Sequence, residues 1–231
     1  MDAFSHYSVL AMGCAMASMS LFLLMLRSVA FQEDRDLYYS RNYLSVVFMI
    51  LSANCILHGL YHFRETQPSV GVALDISSYF LAGVLAAFAY FPLVDTSFRQ
   101  RKSTRKLLFL TWGGATACLW VAALVTYGLP SKVLLITGAA CCVVAMLRLF
   151  ADFVKCYQKV TSMLTDTDYD NVEAIRRFLY SSILLITFVG LAAIVVSMIE
   201  QPRLQSWFNV VATFMLLRIG MAYVNYVVSL K

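Results

Sequence analysis

A small group of polar residues set within apolar sequence is best placed to do chemistry in this chain. Asn54, His58 and His62 recur at a spacing of four, which predicts one face of a helix, and Tyr61 lies beside them. Asp75 follows across a short connection, near the start of the next apolar stretch. Polar and ionisable groups are expensive inside a bilayer, so these residues predict a pocket that binds a ligand or senses pH.

The same residues have two alternative interpretations: structural histidines at the membrane interface, and a metal site. Two histidines four apart plus a carboxylate can supply three zinc ligands, and a water would complete a catalytic site. The segment from His58 to His62 lacks the internal glutamate of a metalloprotease helix, and the remaining histidine, His6, lies in the amino-terminal tail. We therefore expect no metal, no catalytic residue and no cofactor. His58, His62 and Asp75 remain the weak candidates for metal ligands.

A second set of charges lies deeper in the apolar sequence. Arg148 and Asp152 are four apart, which favours a salt bridge along one helix. Arg218, in the last apolar stretch, has no acidic neighbour on its own helix, and Asp95 and Asp152 are its candidate partners. The expected internal charge network comprises Asp95, Arg148, Asp152 and Arg218. Snorkelling of Arg218 to the interface is the alternative.

The elements that must carry these residues are membrane-spanning helices. Hydrophobic residues make up 61% of the chain and charged residues 13%, against about a quarter charged in soluble domains. Apolar stretches of this length are too long and too continuous for barrel strands. The sequence predicts an all-α, seven-helix bundle in one domain, 1–231, with spans at about 8–31, 43–63, 71–94, 107–127, 133–155, 174–199 and 206–230.

Lysine and arginine are concentrated in the first, third and fifth predicted loops. By the positive-inside rule this places the amino-terminus outside and the carboxyl-terminus inside. The same bias accounts for the formal charge of +5, so we expect no direct binding of nucleic acid by this chain. The polar pocket then lies in the outer half of the bundle.

Three stretches of the chain carry a resemblance to a known family. They resemble the polytopic N-terminal membrane sensor domain of Bacteroides-type AraC-type regulators and membrane histidine kinases. The stretches are residues 39–64, residues 166–179, and residues 223–226. The resemblance implies a bacterial inner-membrane location and a role in transcription regulation. It also implies a cytoplasmic output domain, either beyond Lys231 or as a separate partner.

Pocket, topology and resemblance together predict a sensor or receptor domain that takes part in signal transduction. It would relay a small-ligand, lipid or pH signal to a cytoplasmic output domain or partner at the carboxyl-terminal end. Membrane lipid is an expected partner, and a homodimer is one further arrangement. The alternatives are an intramembrane metal-dependent enzyme and a small-solute or proton transporter, with Arg148, Asp152 and Arg218 as pathway groups.

Overall fold

The computed structural model describes residues 3–27, 30–94, 102–125, 133–165, 170–199 and 201–229. Within these ranges the chain is all-helical. The helices are α1 (Ala3–Met25), α2 (Ala30–Glu33), α3 (Arg35–Tyr61), α4 (Phe63–Thr66), α5 (Pro68–Val94), α6 (Lys102–Val125), α7 (Val133–Thr165), α8 (Asp170–Met198) and α9 (Pro202–Ser229).

Six of the described helices are long and apolar enough to cross a membrane: α1, α3, α5, α6, α7 and α9. In α8 the apolar stretch found among the described residues, Ser181–Ser197, is shorter. The structure is therefore compatible with a multi-pass membrane protein.

Several helices extend beyond the predicted spans. Hydropathy locates the apolar part of a helix, whereas capping groups decide where the helix begins and ends. α3 begins at Arg35 because the Asp34 carboxylate accepts hydrogen bonds from the backbone N–H groups of Asp36 (2.7 Å) and Leu37 (3.3 Å). α5 begins with Pro68, whose missing N–H needs no partner in a first turn. α1 departs the other way and ends at Met25, short of the predicted 31.

Helix α5 lies at the centre of the bundle. It contacts α3, α6, α7 and α8, and most of its residues between Val72 and Phe91 are buried. α1 packs against α3 and α9, and α8 packs against both α7 and α9. Asp75 therefore projects from the most enclosed helix.

Serine hydroxyls and a glycine join α1 to α3. The Ser20 hydroxyl lies 2.9 Å from the Ser45 hydroxyl, and Ser52 donates to the Gly13 carbonyl at 2.8 Å. Small residues of this kind let helix backbones approach closely in lipid, where hydrogen bonds between helices hold the contact. This pairing fixes the orientation of α3, which carries Asn54 and His58.

The bundle has two distinct ends. At one, which we call the histidine end, His6 near the start of α1 lies against His62 after α3, with ring centroids 5.3 Å apart. At the other, the tyrosine end, Tyr90 of α5 and Tyr223 and Tyr226 of α9 pack around Phe178 of α8. α3 alone, at 27 residues, covers about 40 Å between them.

Candidate functional site

Asp75 is the centre of a buried polar cluster at the histidine end. Its Oδ1 accepts a hydrogen bond from Asn54 Nδ2 at 2.9 Å and lies 3.0 Å from His58 Nε2. Asn54, His58 and Asp75 are each less than a tenth exposed. Successive turns of α3 thus direct two side chains at one carboxylate, as the spacing of four predicts.

The contact between His58 and Asp75 is electrostatic rather than a well-aligned hydrogen bond. Nε2 of His58 is buried and has no aligned hydrogen-bond partner among the described residues, although Oδ1 of Asp75 is close to it. The attraction is strong only when the imidazole is protonated.

Arg64, in the short helix α4, supplies the permanent cation of the cluster. Its Nη2 donates to Oδ2 of Asp75 and, at 3.3 Å, to the Ser197 hydroxyl of α8. Gly71 makes room for this arrangement, since an added Cβ would lie 3.1 Å from Arg64 Cγ and 3.3 Å from Arg64 N. The carboxylate, the guanidinium and the serine together link α4, α5 and α8.

His62 ends α3 instead of continuing it. Its φ of 50° and ψ of 38° are left-handed, and its backbone N–H donates to the His58 carbonyl at 3.1 Å. Histidine is one of the few residues besides glycine that adopts this conformation with some frequency. The expected column of Asn54, His58 and His62 on one helical face is thus wrong at its last member, because the helix stops at Tyr61.

A cavity of about 460 Å³ opens between the helices at the histidine end. Small-molecule sites commonly have volumes of 300–1,000 Å³, so this one can hold a compact organic ligand. Its polar wall includes Asn54, His58, His62, Arg64 and Asp75. Its apolar wall comes from five helices and includes Val9, Val72, Ile136, Val196 and Phe208.

Several polar groups at this cavity have no hydrogen-bond partner among the described residues. Asn54 Oδ1 is buried and unpaired. Both hydrogen bonds that the Arg64 side chain makes to described residues use Nη2, so Nε and Nη1 have no partner among those residues. Unsatisfied groups around a cavity are what a ligand can satisfy, because leaving them unpaired is costly.

The described residues contain no group of three histidine, cysteine, aspartate or glutamate side chains arranged to hold a metal ion. His62 lies beyond the end of α3, and its ring contacts that of His6 with centroids 5.3 Å apart. Among the described residues Asp75 forms its ion pairs with His58 and Arg64. This geometry does not favour the metal alternative.

The remaining predicted residues that the structure describes do not line the cavity. Tyr61 is exposed and stacks on Phe63, with centroids 5.4 Å apart. Arg148 is exposed and, within the described residues, forms no ion pair with the half-buried Asp152. The favoured salt bridge between them is thus not formed among the described residues. Arg218 is also exposed, and Asp95 lies outside the described residues.

Sequence reasoning missed Arg64, Ser197 and Asn209, each of which lines the cavity. The sequence alone indicates Arg64 only as a charge in a short loop. Its place in the short connection between His58 and Asp75 was a usable signal, since that connection must bring it near both residues. Ser197 and Asn209 are brought to the cavity by the packing of α8 and α9, which no local pattern shows.

Comparisons with protein-family models, curated proteins and solved structures gave no match, so the function rests on the geometry described above.

Proposed function

We propose that this chain is a membrane receptor domain whose cavity at the histidine end binds a small molecule and whose tyrosine end relays the signal. In this proposal seven helices span a bacterial inner membrane, with the amino-terminus outside and the carboxyl-terminus inside. A cytoplasmic output domain or partner reads the change at the tyrosine end. The resemblance to the sensor domains of membrane-bound regulators points the same way.

One observation carries the proposal: three of the helices that line the cavity, α5, α8 and α9, also build the tyrosine end. α5 carries Asp75 at one end and Tyr90 at the other. α8 carries Ser197 and Phe178 in the same way, and α9 carries Asn209 and Tyr223. A tilt or shift of one helix at the cavity therefore moves its aromatic residue at the opposite end.

The orientation can be tested by labelling a single cysteine introduced into each of two predicted loops in turn. With the native cysteines replaced, a cysteine at Ser131 should react with an impermeant reagent added outside, and one at Ser103 should not. The positive-inside bias gives this expectation. Reaction of Ser103 alone would reverse the orientation and remove the proposed cytoplasmic output.

The coupling between the two ends can be tested without knowing the ligand. Val196→Trp places a large side chain in the cavity as a fixed occupant. Val195→Trp changes the preceding residue and places the same side chain on the exposed surface. Spin labels on cysteines at Ser162 and Ser229, near the far ends of α7 and α9, report the spacing of these helices. Val196→Trp should change the label distance by about 1–2 Å, the size of common helix shifts.

Val195→Trp should leave that distance unchanged, because its side chain faces away from the cavity. If both variants give the wild-type distance, a filled cavity does not reach the tyrosine end and the relay is wrong. If both change it equally, the effect comes from the added bulk on α8 and the cavity plays no special part.

A further inference from the structure

We infer that the ligand of this cavity is an amphiphile with one anionic head, which binds Arg64, and that His58 takes up a proton as the anion enters. This inference rests on the proposed function, since it requires the cavity to be a ligand site. It specifies the chemical class of the ligand and the charge change that accompanies binding.

The head group is assigned by the unused donors of Arg64. Nη2 is shared between Asp75 and Ser197, while Nε and Nη1 have no partner in the described ranges. The side chain is 24% exposed and lines the cavity. A guanidinium with spare N–H groups suits a carboxylate or phosphate oxygen, and such charge-assisted bonds are stronger than neutral ones.

A cationic head would find the neutral Asn54 Oδ1 as an unpaired acceptor, but no unengaged buried carboxylate among the described residues. Both oxygens of Asp75 are engaged, Oδ1 by Asn54 and His58 and Oδ2 by Arg64. Glu65 also borders the cavity, but its side chain is exposed and interacts with another group. A cation would therefore meet the Arg64 charge without a buried carboxylate left to receive it.

The proton follows from charge balance in a buried site. Arg64 and Asp75 neutralise each other, so an added anion leaves the cluster with one excess negative charge away from water, which is costly. His58 Nε2 lies 3.0 Å from Asp75 Oδ1, so an added proton on this imidazole places a positive charge beside the carboxylate and restores neutrality. The other titratable groups around His58 and the cavity are His6 of α1, Cys55 of α3, His62, Glu65 of α4 and Tyr79 of α5.

Among the described residues none of these groups forms an ion pair with Asp75, as His58 does. The rings of His6 and His62 lie against each other with centroids 5.3 Å apart, and Glu65 is exposed. Cys55 and Tyr79 already carry their protons when neutral. His58 is thus the group whose protonation directly offsets the carboxylate.

The apolar body of the ligand is assigned by the depth of the site. Tyr79, one turn below Asp75 on α5, lines the main cavity and also a second cavity of about 60 Å³. The second cavity is walled mainly by apolar residues, including Leu51, Met146, Leu149 and Leu216. An unbranched apolar chain attached to the head would point from Arg64 past Tyr79 towards the bundle centre.

The test compares three compounds that differ only in the head: octanoate, octanamide and octylamine. Calorimetric titrations use the protein in phosphatidylcholine nanodiscs, and empty nanodiscs correct for partitioning into lipid. We expect octanoate alone to bind, and Arg64→Gln to weaken it by about tenfold or more. Arg203→Gln removes an exposed arginine of α9 outside the cavity lining and should leave the affinity unchanged.

Titrations at pH 8 in two buffers of different ionisation enthalpy count the protons. We expect uptake of about one proton per octanoate, lost in His58→Gln while binding persists, by linkage of binding to protonation. Binding of octanoate without proton uptake would overturn the role of His58. Thermal unfolding of each variant checks that the fold is retained.

Two sources can supply such an anion, and nanodiscs containing phosphatidylglycerol distinguish them. If the physiological source is an anionic lipid, phosphatidylglycerol should displace octanoate from the wild type. It should displace octanoate from the control Arg203→Gln to the same extent. If the source is a free carboxylate, octanoate should bind equally in both lipids. Either result is consistent with an anionic head at Arg64.

Failure of this inference differs from failure of the proposed function. If octanamide or octylamine binds as well as octanoate, and Val196→Trp blocks that binding, the receptor proposal stands and the anionic head is wrong. If none of the three binds but Val196→Trp still moves the spin labels, the relay again stands without this ligand class. If nothing binds and the labels do not move, both are wrong.

Discussion

The histidine end and the tyrosine end share α5, α8 and α9, yet they differ in packing. At the tyrosine end Phe178 lies 5.0–5.6 Å from the rings of Tyr90, Tyr223 and Tyr226, and all four side chains are buried. At the histidine end a cavity separates the helices, and charged and polar side chains face it. Aromatic packing leaves little room for a ligand, whereas a polar cavity leaves room but must hold its charges in balance.

The two ends accommodate different kinds of buried polar group. The Tyr223 hydroxyl donates to the Leu37 carbonyl at 2.9 Å, so this ring brings a polar tip into a packed region with a partner. Asp75 brings a full charge into a buried region, and it needs Asn54, His58 and Arg64 as partners. The two ends should therefore respond differently to the loss of one polar group.

The largest expected effect is at Arg64. Arg64→Ala leaves Asp75 buried without its permanent cation, which typically costs about 3–5 kcal/mol of folding free energy. Thermal unfolding in nanodiscs should show a clear loss. Arg203→Ala, an exposed arginine, is the matched control.

The double variant Arg64→Gln/Asp75→Asn should recover much of that loss, because it removes both charges together. If the single and double variants were equally unstable, the pairing of charges would not explain the stability of the histidine end.

Gly71 should have the next largest effect. An alanine Cβ would press on both the side chain and the backbone of Arg64, at 3.1–3.4 Å, and overpacking of this kind typically costs about 1–3 kcal/mol. It should also displace the guanidinium and weaken octanoate binding. Gly114→Ala is the control, since nothing lies within 4 Å of its added Cβ. Equal effects of the two substitutions would point to helix propensity instead of contact with Arg64.

A smaller effect is expected at the tyrosine end. Tyr223→Phe removes the bond to the Leu37 carbonyl, which should cost about 1 kcal/mol, the usual net value of one hydrogen bond. Tyr90→Phe is the matched substitution, because the Tyr90 hydroxyl is buried without a hydrogen-bond partner among the described residues. It should be neutral or slightly stabilising in the same unfolding measurement. A larger loss for Tyr90→Phe would show that its hydroxyl is satisfied after all.

The sequence predicted much of the histidine end because its signals are local. Helical spacing placed Asn54 and His58 on one face, and the short connection brought Asp75 near them. The helical fold class followed from the length of the apolar stretches. What the pattern did not predict was the left-handed turn at His62, which depends on where α3 ends, and the approach of Ser197, which depends on how α8 packs.

The tyrosine end was not identified from the sequence for the same physical reason. Phe178, Tyr90 and Tyr223 lie far apart along the chain and meet only when α5, α8 and α9 pack together. Aromatic residues near span ends are typical of the membrane interface, so their type alone indicates a lipid contact. Burial of all three rings distinguishes this cluster from an interfacial belt.

The smallest expected effect is at Arg218, and it tests whether the bundle contains a buried ion pair outside the histidine end. Arg218 is exposed and forms no ion pair with Asp152 within the described residues. Its long side chain can extend along the bilayer so that the guanidinium reaches the interface. Arg218→Lys and Arg218→Gln should therefore unfold at temperatures close to that of the wild type, in contrast to Arg64→Ala. A large loss in Arg218→Gln that Arg218→Lys does not share would place a second buried ion pair near the tyrosine end, with Asp95 as the candidate partner.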